Sequence, residues 1–167
     1  MKGKAHRFGD DINTDYIIAG RYKFKTLDMD ELACHVMEDL DPDFCNRLEK
    51  GDFLVAGRNF GCGSSREQAP LALKHAGVAA VLAGSFARIY FRNSINNGIP
   101  ALVCDTSGIE DGDDLDLDLE RGVVTDLSKG QEIRCDPLPV VMLGILNEGG
   151  LVPYMKNHGG FSLKGKR

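Results

Sequence analysis

The residues with the clearest capacity for chemistry lie in a glycine-rich segment, residues 57–67, which reads GRNFGCGSSRE. Its glycines permit positive φ angles and close approach of the backbone to a ligand. Ser64 and Ser65 contribute hydroxyl groups, and the guanidinium of Arg66 can hold a carboxylate or a phosphate through two parallel hydrogen bonds. This segment, hereafter the serine loop, therefore predicts an anion-binding site.

The serine loop also carries a signal for the start of a helix. Ser64 and Glu67 have the spacing of a capping box, which predicts a helix beginning at Ser65 with free N–H groups beside the anion. Pro70 opposes this start, because a proline in the second turn breaks or kinks a helix, and a later start is the alternative. In a second open interpretation, Ser64 only caps the helix and Arg66 lies on its surface. The spacing fits neither a Walker phosphate loop nor a dinucleotide-binding glycine motif.

The pattern of apolar residues along the sequence predicts the strands and helices that position this loop. Short apolar runs bounded by glycine predict buried strands, alternating Leu and acidic residues predict a half-buried hairpin, and apolar residues at helical spacing predict helices. The predicted strands are residues 4–8, 53–56, 78–83, 101–103, 115–120, 123–125 and 131–133. The predicted helices are residues 30–40, starting at an N-cap Asp28 or Asp30, 86–97 and, as the last one, 139–146. The predicted fold class is α/β, a single domain over residues 1–167 with mixed sheets and flanking helices.

Composition excludes several classes of protein. The chain has 167 residues, a formal net charge of -5 and no basic cluster before its last residues, so a nucleic-acid partner is not expected. The longest uncharged apolar run, residues 137–147, is too short for a membrane span, and no signal peptide is recognisable, so we expect a cytoplasmic protein without a membrane partner. Five widely spaced cysteines predict free thiols and no metal site.

Three ordered motifs resemble the small subunits of 3-isopropylmalate dehydratases, which are enzymes of the aconitase family. They are the serine loop, the segment DINTDYII at residues 11–18 and the segment SFARIYFRN at residues 85–93. The resemblance covers almost the whole chain and weakens after about Gly108. It implies a swivelling β/β/α domain, and it implies a partner, the large subunit, which carries a [4Fe-4S] cluster in a heterodimer or heterotetramer. No cofactor is expected in this chain.

The resemblance also implies roles for residues. Ser64 matches the family's catalytic base, which takes a proton from the carbon next to the hydroxyl-bearing one. Asp15 matches the aspartate of a Thr-Asp dyad that orients catalytic groups, although an Asx turn in a polar loop would explain it equally. Arg66 would bind a substrate carboxylate, and Ser65 would complete the anion site.

The resemblance places the choice of substrate at residues 22–26, which read YKFKT. Homoaconitases carry an arginine where this chain has Phe24, and an apolar side chain suits the isopropyl group of isopropylmalate. Lys23 and Lys25 flank it and could reach a carboxylate. A related hydro-lyase acting on a methylmalate, a dimethylmalate or a tricarboxylate therefore stays open, as does the interpretation that both lysines face solvent.

Two further interpretations complete the sequence-based prediction. In the SFARIYFRN segment and just after it, Phe86, Ile89 and Ile95 are expected in the core, with Arg88 and Arg92 pairing with aspartates or with the large subunit. A rival function is a stand-alone carboxylate-binding domain, which would use the serine loop without any chemistry.

Overall fold

The computed structural model describes residues 1–23 and 28–159, and these ranges contain seven strands and eight helices. The strands are β1 (Lys2–Arg7), β2 (Phe53–Ala56), β3 (Ala80–Ala83), β4 (Ala101–Val103), β5 (Asp114–Asp118), β6 (Val123–Asp126) and β7 (Gln131–Arg134). The helices are α1 (Thr14–Ile17), α2 (Gly20–Lys23), α3 (Met29–Ala33), α4 (Phe44–Arg47), α5 (Gln68–Ala76), α6 (Arg88–Asn96), α7 (Val140–Asn147) and α8 (Leu151–His158). Among the described residues, no helix has the length and apolar character needed to cross a membrane.

All seven strands form one mixed sheet, in the order β4-β3-β2-β1-β5-β6-β7. Strands β1 to β4 pair in parallel, and β5 to β7 pair antiparallel with one another and with β1. The parallel half is built from strand–helix–strand units in which α5 joins β2 to β3 and α6 joins β3 to β4. The α/β class with a mixed sheet and flanking helices is therefore confirmed.

Strands β2 and β3 are buried on both faces, which explains their uninterrupted apolar sequences. Leu54 and Val81 point towards a core formed with α1, α3 and α5. Their neighbours Val55 and Leu82 point to the other side, where they pack with Leu115 and other residues of the antiparallel half. The side-chain period of two thus divides each strand between two separate cores.

The two edge strands of the sheet approach each other at one point. The N–H of Asp136, two residues beyond β7, donates to the carbonyl of Val103 at the end of β4, at 2.8 Å. Beside this bond, Cys104 and Cys135 form an isolated antiparallel bridge. The sheet therefore closes on itself at the Cys104–Cys135 seam and encloses the second core.

The helix predicted up to Leu40 is shorter than expected. It begins after the predicted cap Asp28, whose carboxylate accepts the N–H of Asp30, but it ends at Ala33 and continues as turns through residue 40. Met37 is fully buried with a φ of 60°, and its N–H bonds to the carbonyl of Ile17. A tertiary hydrogen bond and core packing thus override the helical periodicity. The helix predicted as the last one is followed by α8.

Candidate active site

The serine loop connects the end of β2 to the start of α5, as its sequence position predicts. The predicted helix start is wrong, because α5 begins at Gln68 and no side chain caps it. Pro70 lies in the first turn of this later helix, where its missing N–H leaves no bond unmade. Ser64 is therefore free of a capping role, and its exposed side chain is available at the surface of the loop.

The first residue of α1 and the segment before it hold the serine loop in place. The N–H of Gly61 donates to the carbonyl of Ile12 at 2.7 Å, and the N–H of Thr14 donates to the carbonyl of Cys62 at 2.9 Å. The hydroxyl of Thr14, which is buried, donates to the carbonyl of Ser64 at 2.8 Å. Two segments about 50 residues apart in the chain are thereby fixed side by side.

Two glycines of the serine loop are required by its geometry. Gly61 has a φ of 78°, and a Cβ there would lie 2.1 Å from Cγ of Tyr90, which packs against the loop. Gly63 has a φ of 89°, and a Cβ there would have ordinary contacts with Asn13 and Thr14. A side chain at the first position is excluded by both space and backbone conformation, and at the second position by conformation alone.

The structure brings Arg66 and Asp15 together. An Nη atom of Arg66 lies 2.5 Å from a carboxylate oxygen of Asp15, and the other Nη donates to the carbonyl of Ile18 at 3.1 Å. The Arg66 side chain is 14% exposed and that of Asp15 is 51% exposed. Gly20 faces this pair, and a Cβ at that position would lie 3.6 Å from the guanidinium. The guanidinium is therefore fixed in position with part of its donor set still available.

An open cleft of about 440 Å³ lies beside the serine loop and the start of α6. It is lined by Thr14, Gly61, Gly63, Ser64, Ser65, Arg66, Ala87, Arg88, Ile89, Tyr90, Arg92 and Asn93. Its size falls in the lower part of the range for small-ligand sites. Three of these twelve residues are arginines and none is acidic, so the cleft is cationic on a chain with net charge -5.

Sequence reasoning missed the contribution of α6 to this cleft. Arg88 and Arg92 are exposed, and neither has a carboxylate within 4 Å among the described residues, so the expected pairing with aspartates within the chain is wrong. Ile95 is in the core as expected, Phe86 is half-buried, and Ile89 is 57% exposed, which contradicts its predicted burial. The i, i+4 spacing of the two arginines was the signal that placed them on one helix face.

Burial raises the pKa of Tyr90, so its buried hydroxyl stays protonated. Its ring packs in a triangle with those of Phe60 and Phe86, at centroid distances of 5.1 and 6.3 Å, and those two rings are 5.9 Å apart. Tyr90 therefore acts as a packing residue that supports Gly61 and the cleft wall.

Most of the predicted substrate loop lies outside the described residues. Phe24 and Lys25 fall outside the described residues, and Lys23 ends α2 with its side chain likewise outside them. The start of this loop is tied down by Tyr22, whose hydroxyl donates to the carboxylate of Glu38 at 2.8 Å. Its ring stacks on His35 at a centroid distance of 3.9 Å.

The described residues contain no group of three or more His, Cys, Asp or Glu side chains that could hold a metal ion. Cys34 is exposed, Cys45 and Cys62 are half-buried, and Cys104 and Cys135 lie in the seam of the sheet. Cysteine ligands for an iron–sulfur cluster must converge on one point. These five positions do not provide a cluster site.

Comparison with known proteins gives consistent results. The family of aconitase C-terminal domains matches residues 25–106. The chain is 60% identical to 3-isopropylmalate dehydratase small subunit 2 of Archaeoglobus fulgidus, over 95% of this chain and 96% of that protein. It is 53% identical to the methanogen homoaconitase small subunit of Methanothermobacter thermautotrophicus, over 92% of this chain and 89% of that protein. A crystal structure of 3-isopropylmalate dehydratase from Methanocaldococcus jannaschii superposes with a TM-score of 0.91 at 46% identity, covering 95% of this chain and 94% of the other.

Proposed function

Because the chain belongs to the aconitase-family group of 3-isopropylmalate dehydratase small subunits, we propose that it supplies half of the active site of a hydro-lyase. The reaction would interconvert 2-isopropylmalate and 3-isopropylmalate in leucine biosynthesis. The cationic cleft that contains Ser64 beside the fixed guanidinium of Arg66 is the main structural support. A dicarboxylate substrate requires such a surface, since its charges must be compensated when water is excluded.

We assign Ser64 as the catalytic base. Its alkoxide would take a proton from the carbon next to the hydroxyl-bearing carbon, and the electron pair of that C–H bond would form the double bond. The hydroxyl group would leave as water after taking up a proton from an acid of the partner's half of the site. Water would then add back with the opposite regiochemistry, returning both protons. A serine alkoxide is accessible only where positive charge stabilises it. Arg66, Arg88 and Arg92 surround the cleft with such charge, and no acidic side chain among the described residues lines it.

Arg66 and Asp15 would act as a unit. Asp15 and the Ile18 carbonyl hold two of the guanidinium nitrogens, so the remaining N–H groups of Arg66 point in a defined direction for a substrate carboxylate. Ser65, exposed on the same loop, would add a hydroxyl donor to that carboxylate.

We propose further that activity requires a large subunit in a heterodimer or heterotetramer, since the relatives of this chain are named small subunits and the cleft beside the serine loop is open. A [4Fe-4S] cluster held by that partner would supply Lewis-acid chemistry. The chain would form a single domain over residues 1–167 and work in the cytoplasm.

Similarity to a homoaconitase small subunit supports a second candidate substrate, a tricarboxylate. We favour isopropylmalate, because Phe24 stands where homoaconitases carry an arginine, while Lys23 and Lys25 keep the alternative open. Phe24→Arg should raise activity on homocitrate-type acids relative to isopropylmalate. An unchanged ratio would remove this loop from the choice of substrate.

Reconstitution tests the function directly. The chain is mixed under anaerobic conditions with its cluster-loaded large subunit, and double-bond formation is followed in the ultraviolet with 3-isopropylmalate, citramalate and homocitrate in parallel. Activity only in the mixture, highest on 3-isopropylmalate, is expected. If activity were higher on another acid, the proposed mechanism would stand and that acid would replace isopropylmalate as the assigned substrate. If the mixture formed no double bond although the cluster was intact, the result would favour a stand-alone carboxylate-binding domain.

A further inference from the structure

We propose that Cys104 and Cys135 are a site of reversible disulfide formation, which joins the two edges of the sheet covalently when the chain is exposed to a peroxide. Cys104 follows β4 and Cys135 follows β7, and these are the edge strands of the sheet. The two cysteines face each other in the antiparallel bridge of the seam. Neither lines the cleft beside the serine loop, so the pair lies apart from the residues proposed for catalysis.

The backbone of the seam brings the two side chains together. The N–H of Cys104 donates to the carbonyl of Ala83 at 3.0 Å. The N–H of Cys135 donates to the carbonyl of Gly122 at 2.8 Å. Neither N–H bonds across the seam, so the two cysteines are a non-hydrogen-bonded pair. Such pairs in antiparallel strands lie about 4.5 Å apart at Cα, with their side chains closer than in hydrogen-bonded pairs. A disulfide spans about 4.4–6.8 Å between Cα atoms, so it can form here without a large backbone movement.

The two thiols of the seam are chemically unequal. Both are buried, and a hydrogen bond between their side chains raises the pKa of Cys104 and lowers the pKa of Cys135. Cys104 therefore keeps its proton, and Cys135 is the sulfur that ionises first. The thiolate is the form of cysteine that reacts with a peroxide. The seam thus holds a nucleophilic sulfur directly beside a second thiol that can complete a disulfide.

Oxidation by hydrogen peroxide proceeds in two steps. The Cys135 thiolate attacks one peroxide oxygen and the O–O bond breaks; the departing hydroxide takes up a proton, so a sulfenic acid and water are formed. The Cys104 sulfur then attacks the Cys135 sulfur and the S–O bond breaks, so that the hydroxyl group leaves as water with the Cys104 proton. The two sulfurs lose two electrons, which reduce the peroxide to two water molecules. Dithiothreitol reverses the change by two exchange steps and is itself oxidised to a disulfide.

The disulfide would strengthen a short junction. Among the described residues, a single isolated bridge joins β4 to the segment after β7, whereas neighbouring strands within the sheet pair over at least three residues. A bond between Cys104 and Cys135 would enclose about 30 residues of chain, which include β5, β6 and β7. Closing a loop of this length restricts the unfolded chain and stabilises the folded one. Oxidation should therefore make the closed sheet more resistant to unfolding.

The rival pair for a disulfide is Cys34 and Cys45, which line one surface pocket. The Cys34 sulfur contacts the carbonyl of Asp30 at 3.4 Å, and the Cys45 sulfur contacts the carbonyl of Ala33 at 3.5 Å. No bridge in the described part of the chain sets these two cysteines opposite each other. The seam is therefore the better placed of the two pairs, and mapping the disulfide distinguishes them.

The test treats the folded full-length chain with hydrogen peroxide, blocks the remaining thiols with iodoacetamide and maps disulfides by mass spectrometry after tryptic digestion without a reductant. Cleavage after Arg121 and Arg134 places the two cysteines on separate peptides, so a linked pair is identified directly. We expect a Cys104–Cys135 peptide that is two hydrogen atoms lighter than its parts and disappears with dithiothreitol. The urea midpoint of the oxidised chain should exceed that of the reduced chain by about 1 M or more.

Variants separate the seam from the other thiols. Cys104→Ala and Cys135→Ala should each remove the difference in urea midpoint between oxidised and reduced chains, whereas the matched control Cys34→Ser, at an exposed position, should keep it. Each variant is compared only with its own reduced form, so a loss of stability caused by the substitution itself does not enter the result. A wild-type chain in which peroxide modifies Cys34 but yields no Cys104–Cys135 peptide would overturn the proposal. A linked peptide with an unchanged urea midpoint would equally overturn the stabilising role of the bond.

Discussion

At the scale of single residues, the site depends on side chains that are fixed by neighbours far away in sequence. Arg66 is oriented by Asp15, and the backbone of Ser64 is held by the Thr14 hydroxyl. Among the described residues, no hydrogen bond occupies the side-chain oxygen of Ser64, the proposed base. Buried Thr14 thus positions the loop backbone, and the side chain of the proposed base Ser64 stays exposed.

Ser64→Ala should reduce kcat of the reconstituted enzyme by about 10²–10⁴, the range for loss of a general base. The affinity for the large subunit should not change, because Ser64 contributes only its carbonyl to the fold. Stopped-flow or steady-state absorbance with 3-isopropylmalate measures the first quantity, and a titration of subunits measures the second.

Ser65→Ala is the companion variant, and it should raise KM more than it lowers kcat, since Ser65 is assigned to substrate binding. Retained turnover in Ser64→Ala, or an equal loss of kcat in both variants, would place the base elsewhere.

At the scale of elements, the serine loop keeps its shape because α6 packs against it. Gly61→Ala would bring a Cβ against the ring of Tyr90 in a backbone conformation that disfavours side chains. The free energy of unfolding should fall by about 1–3 kcal/mol, as for overpacking in a core, and turnover should fall as the loop moves. Urea unfolding followed by circular dichroism measures the first effect.

Gly9→Ala is the control for this variant, because no atom lies within 4 Å of a Cβ there and its φ is not positive. Equal stability of the two variants would show that the loop tolerates displacement of Tyr90.

The antiparallel half of the sheet is joined by a charge cluster. Lys129, in the turn between β6 and β7, contacts Asp113, which precedes β5, and lies 3.6 Å from Asp126. The Lys129 ammonium, together with the N–H of Glu110, holds the pKa of Asp113 below its ordinary value. A carboxyl group with a lowered pKa in the folded state stabilises the fold above its unfolded pKa, about 3.9, and this stabilisation is lost as pH falls through the folded pKa.

The urea midpoint of the wild-type chain should therefore fall as pH is lowered from about 5 to below 3.9. Asp113→Asn should lower the midpoint at pH 7 and flatten this acid dependence, which denaturation curves at several pH values will show. Glu132→Gln, at an exposed position of β7, removes the same charge as a control. If the urea midpoint of Asp113→Asn changed with pH in the same way as that of the wild type, the Asp113 carboxylate would not be the source of the acid dependence.

At the scale of the whole molecule, the sheet is closed by the Cys104–Cys135 seam. The two cysteines are 7% and 9% exposed, and the hydrogen bond to Cys135, together with burial, raises the pKa of Cys104. Only a thiolate reacts rapidly with a disulfide reagent. Cys104 should therefore be labelled at the rate at which the seam opens, while the exposed Cys34 should be labelled first.

Mass spectrometry of the chain after timed labelling will resolve these rates, and labelling in denaturing urea should make them equal. Fast labelling of Cys104 under conditions where circular dichroism reports a folded chain would show that the seam opens locally. The stability of the closed sheet would then have to come from elsewhere.

The sequence alone determined the composition of the serine loop and the order of the strands. Local sequence is sufficient to predict the serine loop, the strands on either side of it and the hairpin of β5 and β6. Glycine content sets the backbone conformations available to a loop, and hydrophobic periodicity indicates a strand, within a few residues. The family resemblance rests on the same local motifs, and the comparisons confirm it.

Only the tertiary structure decided the relations between distant segments. Three such relations join residues separated by many positions. They are the pairing of Asp15 with Arg66, the place of Arg88 and Arg92 in the cleft, and the closure at the Cys104–Cys135 seam. The left-handed turn at Met37 was likewise set by a bond to Ile17 that no local pattern reveals. The physical reason is that such contacts depend on which strands pair and in what order. The repeat of apolar residues along the sequence shows which face of a helix or strand is buried, but it does not show which other element packs against that face.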